Sequence, residues 1–214
     1  MKKERIDGLT DGIFAIVMTL LVFEIRIPDT LVMATNETLF NALISIYPLF
    51  LSYILSFSLL FTYWRAHHYI ASVLAKNIDM RLSNLSALFL LFVGLVPFSS
   101  HLLGVYNDTQ VAIILFAINI ILIGISLWVM RRYVIKSSTI ETTPFTKTEN
   151  EHANMRILLP VGIAIVAIVV SFFHKEFALV FFTIAILFNL SHRSTTYLFY
   201  IIDLFRKKQD NATI

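Results

Sequence analysis

The chain has 214 residues, of which 57% are hydrophobic and only 14% are Asp, Glu, Lys or Arg, about half the charged share of a soluble domain. That balance, with a mean hydropathy of +0.78, excludes a water-soluble globule and points to recurrent bilayer-spanning segments. No cysteine is present, which excludes disulfide frameworks, thiolate metal sites and cysteine nucleophiles, and the net charge of +3 is dispersed between apolar segments, unlike a nucleic-acid-binding patch.

The pattern predicts an all-α membrane protein with six spans, over 9–27, 41–64, 81–103, 109–131, 156–173 and 177–202. The first follows Met1-Lys2-Lys3-Glu4-Arg5, a start like that of a secretory leader. Glu24, Arg26 and Pro28 stand where a small-x-small cleavage site belongs, so the segment is expected to be retained. Projected at about 100° per residue, it separates into two faces. One carries Arg5, Leu9, Gly12, Ile16, Thr19, Leu20, Phe23 and Ile27, and the other Glu4, Asp7, Asp11, Ala15, Met18, Val22 and Ile25. Asp11 lies about 140° around the helix from Ile16, so the two point into different spaces.

An aspartate inside a membrane helix is costly unless it faces protein or water. Partners at similar depth follow along the chain: Trp64, Arg65, His67 and His68 end the second span, and Asp79, Arg81 and Asn84 open the third. A polar cluster joining these to Asp11, with Arg5 as countercharge, is one expectation. The other is that Asp7 and Asp11 sit among headgroups at the positive end of the helix.

The segment Lys136 to Asn154, rich in Thr, Ser and Glu and containing Pro144, reads as a mobile connection. No stretch is long enough for a separate soluble domain. One six-helix domain over 1–205 and a polar tail over 206–214 are expected. With the N-terminus inside, every Lys and Arg except Arg26 and Lys175 falls on the inner side, so both termini are expected in the cytoplasm of a cell-membrane protein.

Catalytic signatures are missing: no Walker lysine loop, dinucleotide-binding glycine pattern, HExxH or GxSxG occurs. Histidines 67, 68, 101, 152, 174 and 192 are scattered, and adjacent His67 and His68 diverge by about 100°, so no metal-ligand cluster forms. Neither an enzyme nor a cofactor is expected. An apolar stripe such as Ile16, Leu20 and Phe23 is, taken alone, ordinary packing or lipid contact.

The run Arg5-Ile6-Asp7-Gly8-Leu9-Thr10-Asp11, leading into Gly12 to Val22, resembles the RxxxFSD signature that opens the first helix of the transmembrane protein 175 potassium-channel family. Trp64-Arg65-Ala66-His67-His68, then Asp79, Asn84 and Pro97, are similar to that family's second and third helices. Leu9 stands where the motif has Phe and Thr10 where it has Ser, so the hydroxyl is kept and the ring lost. The resemblance implies a homotetramer in the lipid bilayer, with four first helices around a pathway for K+ and other monovalent cations. It implies an apolar constriction at Ile16, with Thr19, Leu20 and Phe23 in neighbouring layers. Such rings close a pore by dewetting, and K+ is then a transient occupant and not a resident metal. Arg5, Thr10, Asp11, Trp64, His67, Asp79 and Asn84 would form a structural polar network behind the lining.

Two other classes compete. A proton-coupled secondary transporter fits the intramembrane carboxylates and histidines but lacks the paired broken helices of a midplane site. A noncatalytic scaffold would carry no current.

Overall fold

The first helix, α1 (Lys3–Leu20), tightens into a 3-10 turn over Leu21–Glu24 and then extends. The tightening follows Thr19, whose hydroxyl donates back to the carbonyls of Ala15 at 2.8 Å and Ile16 at 2.9 Å, a bond that competes with the regular ladder. The helix expected to run to residue 27 therefore ends at Glu24. In this computed structural model residues 3–27, 35–175, 177 and 180–184 are described.

Helix α2 (Asn36–Ser45) starts at a capping box between Thr35 and Thr38 and stops at Ile46. There α3 (Tyr47–His68) begins with a proline in its first turn, where the missing N–H costs nothing. It continues as a π-helical turn over Tyr69–Leu74, so the second span is longer than the expected 41–64. Helices α4 (Met80–Gly94) and α5 (Val96–Val105) form one span broken at Leu95, because Pro97 cannot donate to the carbonyl one turn back. Helix α6 (Gln110–Lys136) is unbroken. Helix α7 (Lys147–Ser171) starts well before the expected residue 156, because Thr146 and Glu149 make a reciprocal capping box that satisfies two end donors.

Five helical stretches among the described residues are long and apolar enough to cross a membrane: 3–24, 47–74, 80–105, 110–136 and 147–171. The sixth expected span, 177–202, lies almost wholly outside the described residues, and the 206–214 tail entirely so.

Helix α6 is central, with Ile113, Ala117, Ile123, Leu127, Met130 and Val134 fully buried. In lipid there is little hydrophobic gain from helix association, so close fit and interhelical hydrogen bonds must hold the bundle. Both are present. The hydroxyl of Ser100 donates to the Ser52 carbonyl at 3.2 Å, the Asn119 amide to Ser99 Oγ at 2.9 Å and the Tyr63 hydroxyl to the Ile120 carbonyl at 3.3 Å. A Cβ on Gly104 would stand 2.6 Å from Ser52 Oγ and 3.0 Å from Leu49 Cα, and one on Gly124 would stand 2.3 Å from a Val161 methyl. These glycines let α5 meet α3 and α7 meet α6.

The connection between α6 and α7, expected to be mobile, is stitched to the turn between α3 and α4. Lys76 N–H donates to the Glu141 carbonyl at 2.8 Å and Thr143 N–H to the Leu74 carbonyl at 2.9 Å. An isolated antiparallel bridge pairs Ala75 with Thr142. The side chain of Asn77 donates to the Thr139 carbonyl and accepts from Glu141 N–H.

The Gly104 contact makes a prediction. Gly104→Leu should destabilise the bundle by about 1–3 kcal/mol, the usual cost of overpacking, seen as a lower Tm in detergent. Gly94→Ala, with nothing within 4 Å of the new Cβ, should leave Tm unchanged or raise it. Equal Tm values for Gly104→Leu and the parent would show that the α3–α5 seam has slack.

Candidate functional site

Helix α1 presents three faces. Ile6, Thr10, Phe14, Val17 and Leu21 are buried in the bundle, a ridge at the i, i+3, i+4 spacing of a packed helix. Within it the rings of Phe14 and Phe89 lie 5.9 Å apart. The second face carries Asp11, which accepts a hydrogen bond from Trp64 Nε1 at 2.8 Å. The third is apolar and uncovered: Ile16 is 60% exposed, Leu20 44% and Phe23 64%. Leu9 and Thr19 are exposed beside them. Phe23 is carried by the 3-10 turn.

The Trp64 indole is held from both sides. It stacks against His68 at 5.9 Å and meets the tilted ring of Phe61 at 5.8 Å, with its N–H aimed at Asp11. His67, one residue on, turns the other way. It is buried, with its ring stacked on Phe89 at 5.0 Å and 12°. Phe89 therefore touches both Phe14 and His67, joining α1, α3 and α4 in one aromatic contact. Thr10 is buried nearby in sequence terms, but its hydroxyl has no hydrogen-bond partner.

Asp79 belongs to a different group from Asp11. It caps α4, accepting from Leu82 N–H at 2.8 Å, and its other oxygen accepts from the Thr139 hydroxyl at 2.8 Å and from the Tyr133 hydroxyl. Arg81 lies over the Tyr133 ring at 5.0 Å. The single polar network expected from the sequence is thus divided: Asp11 with Trp64 at α1, and Asp79 with Tyr133 and Thr139 at the start of α4. Arg5 and Asn84 are exposed and join neither group. The cation that ties α1 down is Lys3, whose ammonium donates to the Ser72 carbonyl at 2.9 Å and the Ala75 carbonyl at 2.6 Å. Those carbonyls end the π-helical turn, where the helix dipole favours a positive charge.

At the opposite end of α1, Glu24 pairs with His101 Nδ1 at 2.8 Å. Neither this pair nor the Lys3, Tyr133 and Thr139 contacts was legible in the sequence beforehand. A matched depth for Glu24 and His101 was the available signal for the first. Among the described residues no group of three or more His, Asp or Glu side chains is placed to hold a metal ion.

Residues 5–97 match the family model described as endosomal/lysosomal potassium channel TMEM175. A Chryseobacterium protein named potassium channel is 27% identical over 183 residues, covering 85% of this chain and 89% of that protein. Another potassium channel, from Chamaesiphon minutus, is 37% identical over 102 residues, 48% of this chain and 49% of that one. Among solved structures, the crystal structure of a lysosomal potassium-selective channel TMEM175 homolog from Chamaesiphon minutus superposes with a TM-score of 0.72 at 25% identity. That likeness covers 90% of this chain and 97% of the other.

The Asp79 group sets a pH dependence. Partial burial pushes its carboxyl up, but the hydrogen bonds from Tyr133, Leu82 N–H and Thr139 outweigh it and hold the pKa below the ordinary 3.8. With the folded pKa depressed, its contribution to stability is complete above 3.8 and is lost as pH falls through the lower folded value. Thermal unfolding in detergent should show Asp79→Asn with a lower Tm at neutral pH and a shallower fall on acidification. Parallel pH profiles for Asp79→Asn and the parent would remove Asp79 from this role.

Proposed function

We propose that this homologue of the TMEM175 family is a potassium-preferring cation channel, with the first helices of four subunits around an axial pore closed by apolar rings of Ile16, Leu20 and Phe23. The observation that carries the reading is the uncovered third face of α1 in a chain homologous through residues 5–97 to potassium channels. Exposed apolar residues alone are common on any membrane helix. What distinguishes α1 is the run of small residues beside them: Gly8, Gly12, Ala15 and Thr19 are all exposed, and nothing lies within 4 Å of the Cβ positions of Gly8 and Gly12. Such a stripe suits the close approach of another membrane helix, here a second copy of α1.

The chemistry of the lining follows. Asp11 is turned away from Ile16 and engaged by Trp64, so it acts as a scaffold for the pore helix and not as a filter. The Thr19 hydroxyl spends its proton on carbonyls of its own helix, which leaves oxygen lone pairs as a weak mid-depth site for a passing cation. Apolar rings above and below it gate by excluding water. In this reading the protein is multi-pass in the cell membrane, with both termini in the cytoplasm, no resident cofactor and K+ only in transit.

A proton-coupled transporter is not favoured. Asp11 and Asp79 are engaged by hydrogen bonds at the end of the bundle that holds the start of α1, and among the described residues no midplane carboxylate remains for a relay.

The test is flux into proteoliposomes. Potassium uptake should exceed sodium uptake, and Ile16→Asn should raise flux and change the potassium-to-sodium ratio while the tetramer peak persists on size exclusion. Unchanged flux and ratio in Ile16→Asn would overturn the lining. Potassium movement against its own gradient, driven by an imposed proton gradient, would favour the transporter.

A further inference from the structure

Away from the uncovered face of α1, a cavity of about 880 Å³ opens between the ends of α3, α6 and α7. Each helix contributes an arginine to its wall: Arg65, Arg131 and Arg156. His68 and His152 add further nitrogen donors, and the lining includes one carboxylate, Glu149. That carboxylate is committed elsewhere, because one of its oxygens accepts from Thr146 N–H at 2.7 Å and the Thr146 hydroxyl at 2.9 Å to cap α7.

Of the three arginines Arg131 alone is buried. It is 1% exposed, yet its partners are neutral. Nε donates to Asn154 Oδ1 at 3.2 Å and Nη2 to Asn150 Oδ1 at 3.0 Å, while the Tyr69 ring lies 5.9 Å from Cζ. Nη1 has no hydrogen-bond partner. Among the described residues no carboxylate pairs with it. A buried guanidinium held only by neutral acceptors keeps part of its desolvation cost, which a bound anion would offset, and a planar donor fork matches the oxygens of a phosphate.

The size of the cavity selects the kind of anion. A bare phosphate fills a small part of it, whereas a volume of several hundred Å³ suits an organic molecule. Ile70, Val73 and Ile157 give it an apolar wall on which a glycerol backbone or the start of an acyl chain can lie. Basic pockets between membrane helices are suited to phospholipid headgroups.

We propose that this cavity is a binding site for a phosphate ester, held by Arg65, Arg131 and Arg156, whose source is either an anionic phospholipid headgroup or a soluble organic phosphate. The site is independent of the channel reading, and its test reads no ion flux.

The delipidated full chain in a neutral detergent is titrated with phosphatidylglycerol, phosphatidylcholine or glycerol 3-phosphate while Tm is recorded. Phosphatidylglycerol should raise Tm saturably and phosphatidylcholine should not. Arg65→Gln and Arg156→Gln, at positions that are not buried, should each raise the half-saturating concentration about tenfold, the loss expected for one charge-assisted contact. Arg132→Gln should leave it unchanged, since Arg132 lies at the same end over the Trp128 ring but outside the cavity wall. A saturable shift from glycerol 3-phosphate alone, lost in the same two variants, identifies the soluble source at the proposed site. No shift from either phosphate, an equal shift from phosphatidylcholine, or equal weakening by Arg132→Gln overturns the proposal.

Discussion

The ring of Phe14 against Phe89, within the ridge formed by Ile6, Thr10, Val17 and Leu21, is the contact through which α1 is held by the rest of the bundle. A helix that leaves lipid for protein gains little from apolar transfer, so fit and polar ties decide its position. One ridge of fit fixes the rotation of α1 about its axis, and everything else on the helix follows from that rotation. Asp11 is brought opposite Trp64, and the Ile16 face is left uncovered. A rotation of one residue position, about 100°, would exchange these environments and bury a carboxylate among apolar side chains.

Apart from the Glu24–His101 pair at the far end of α1, the polar ties that complete this hold are gathered at one end of the bundle. Lys3 reaches the carbonyls that end the π-helical turn, Trp64 reaches Asp11, and Asp79 gathers Tyr133 and Thr139. The interior further along is tied by small groups, Ser52 with Ser100 and Ser99 with Asn119. The distribution matches the solvent. Charged groups cluster where water and headgroups lower their cost, and neutral hydroxyls and amides serve where they do not.

Five of the six expected spans were legible because hydropathy alone marks them, the sixth lying almost wholly outside the described residues, and the cost of a membrane aspartate was enough to look for a partner such as Trp64. The breaks at Ile46 and Leu95 escaped a reading by hydropathy, which is blind to the donor that Pro48 and Pro97 lack. The start of α7 was recoverable from Thr146 and Glu149, whose spacing is that of a capping box, but the Ser- and Thr-rich composition around them suggested mobility instead. The partners of Asp79 were not recoverable. Tyr133 and Thr139 are 54 and 60 residues away, and only the packing of α4 against α6 brings them near. The same holds for Arg131, whose burial among Asn150, Asn154 and Tyr69 is decided by three helices at once.

The close seat of Gly124 against Val161 has a mechanical consequence for the molecule. With no side chain on Gly124 to hold them apart, α6 and α7 interlock at this point, and sliding one along the other would drive the Val161 methyls against the larger side chains a turn away on α6, Ile120 and Leu127.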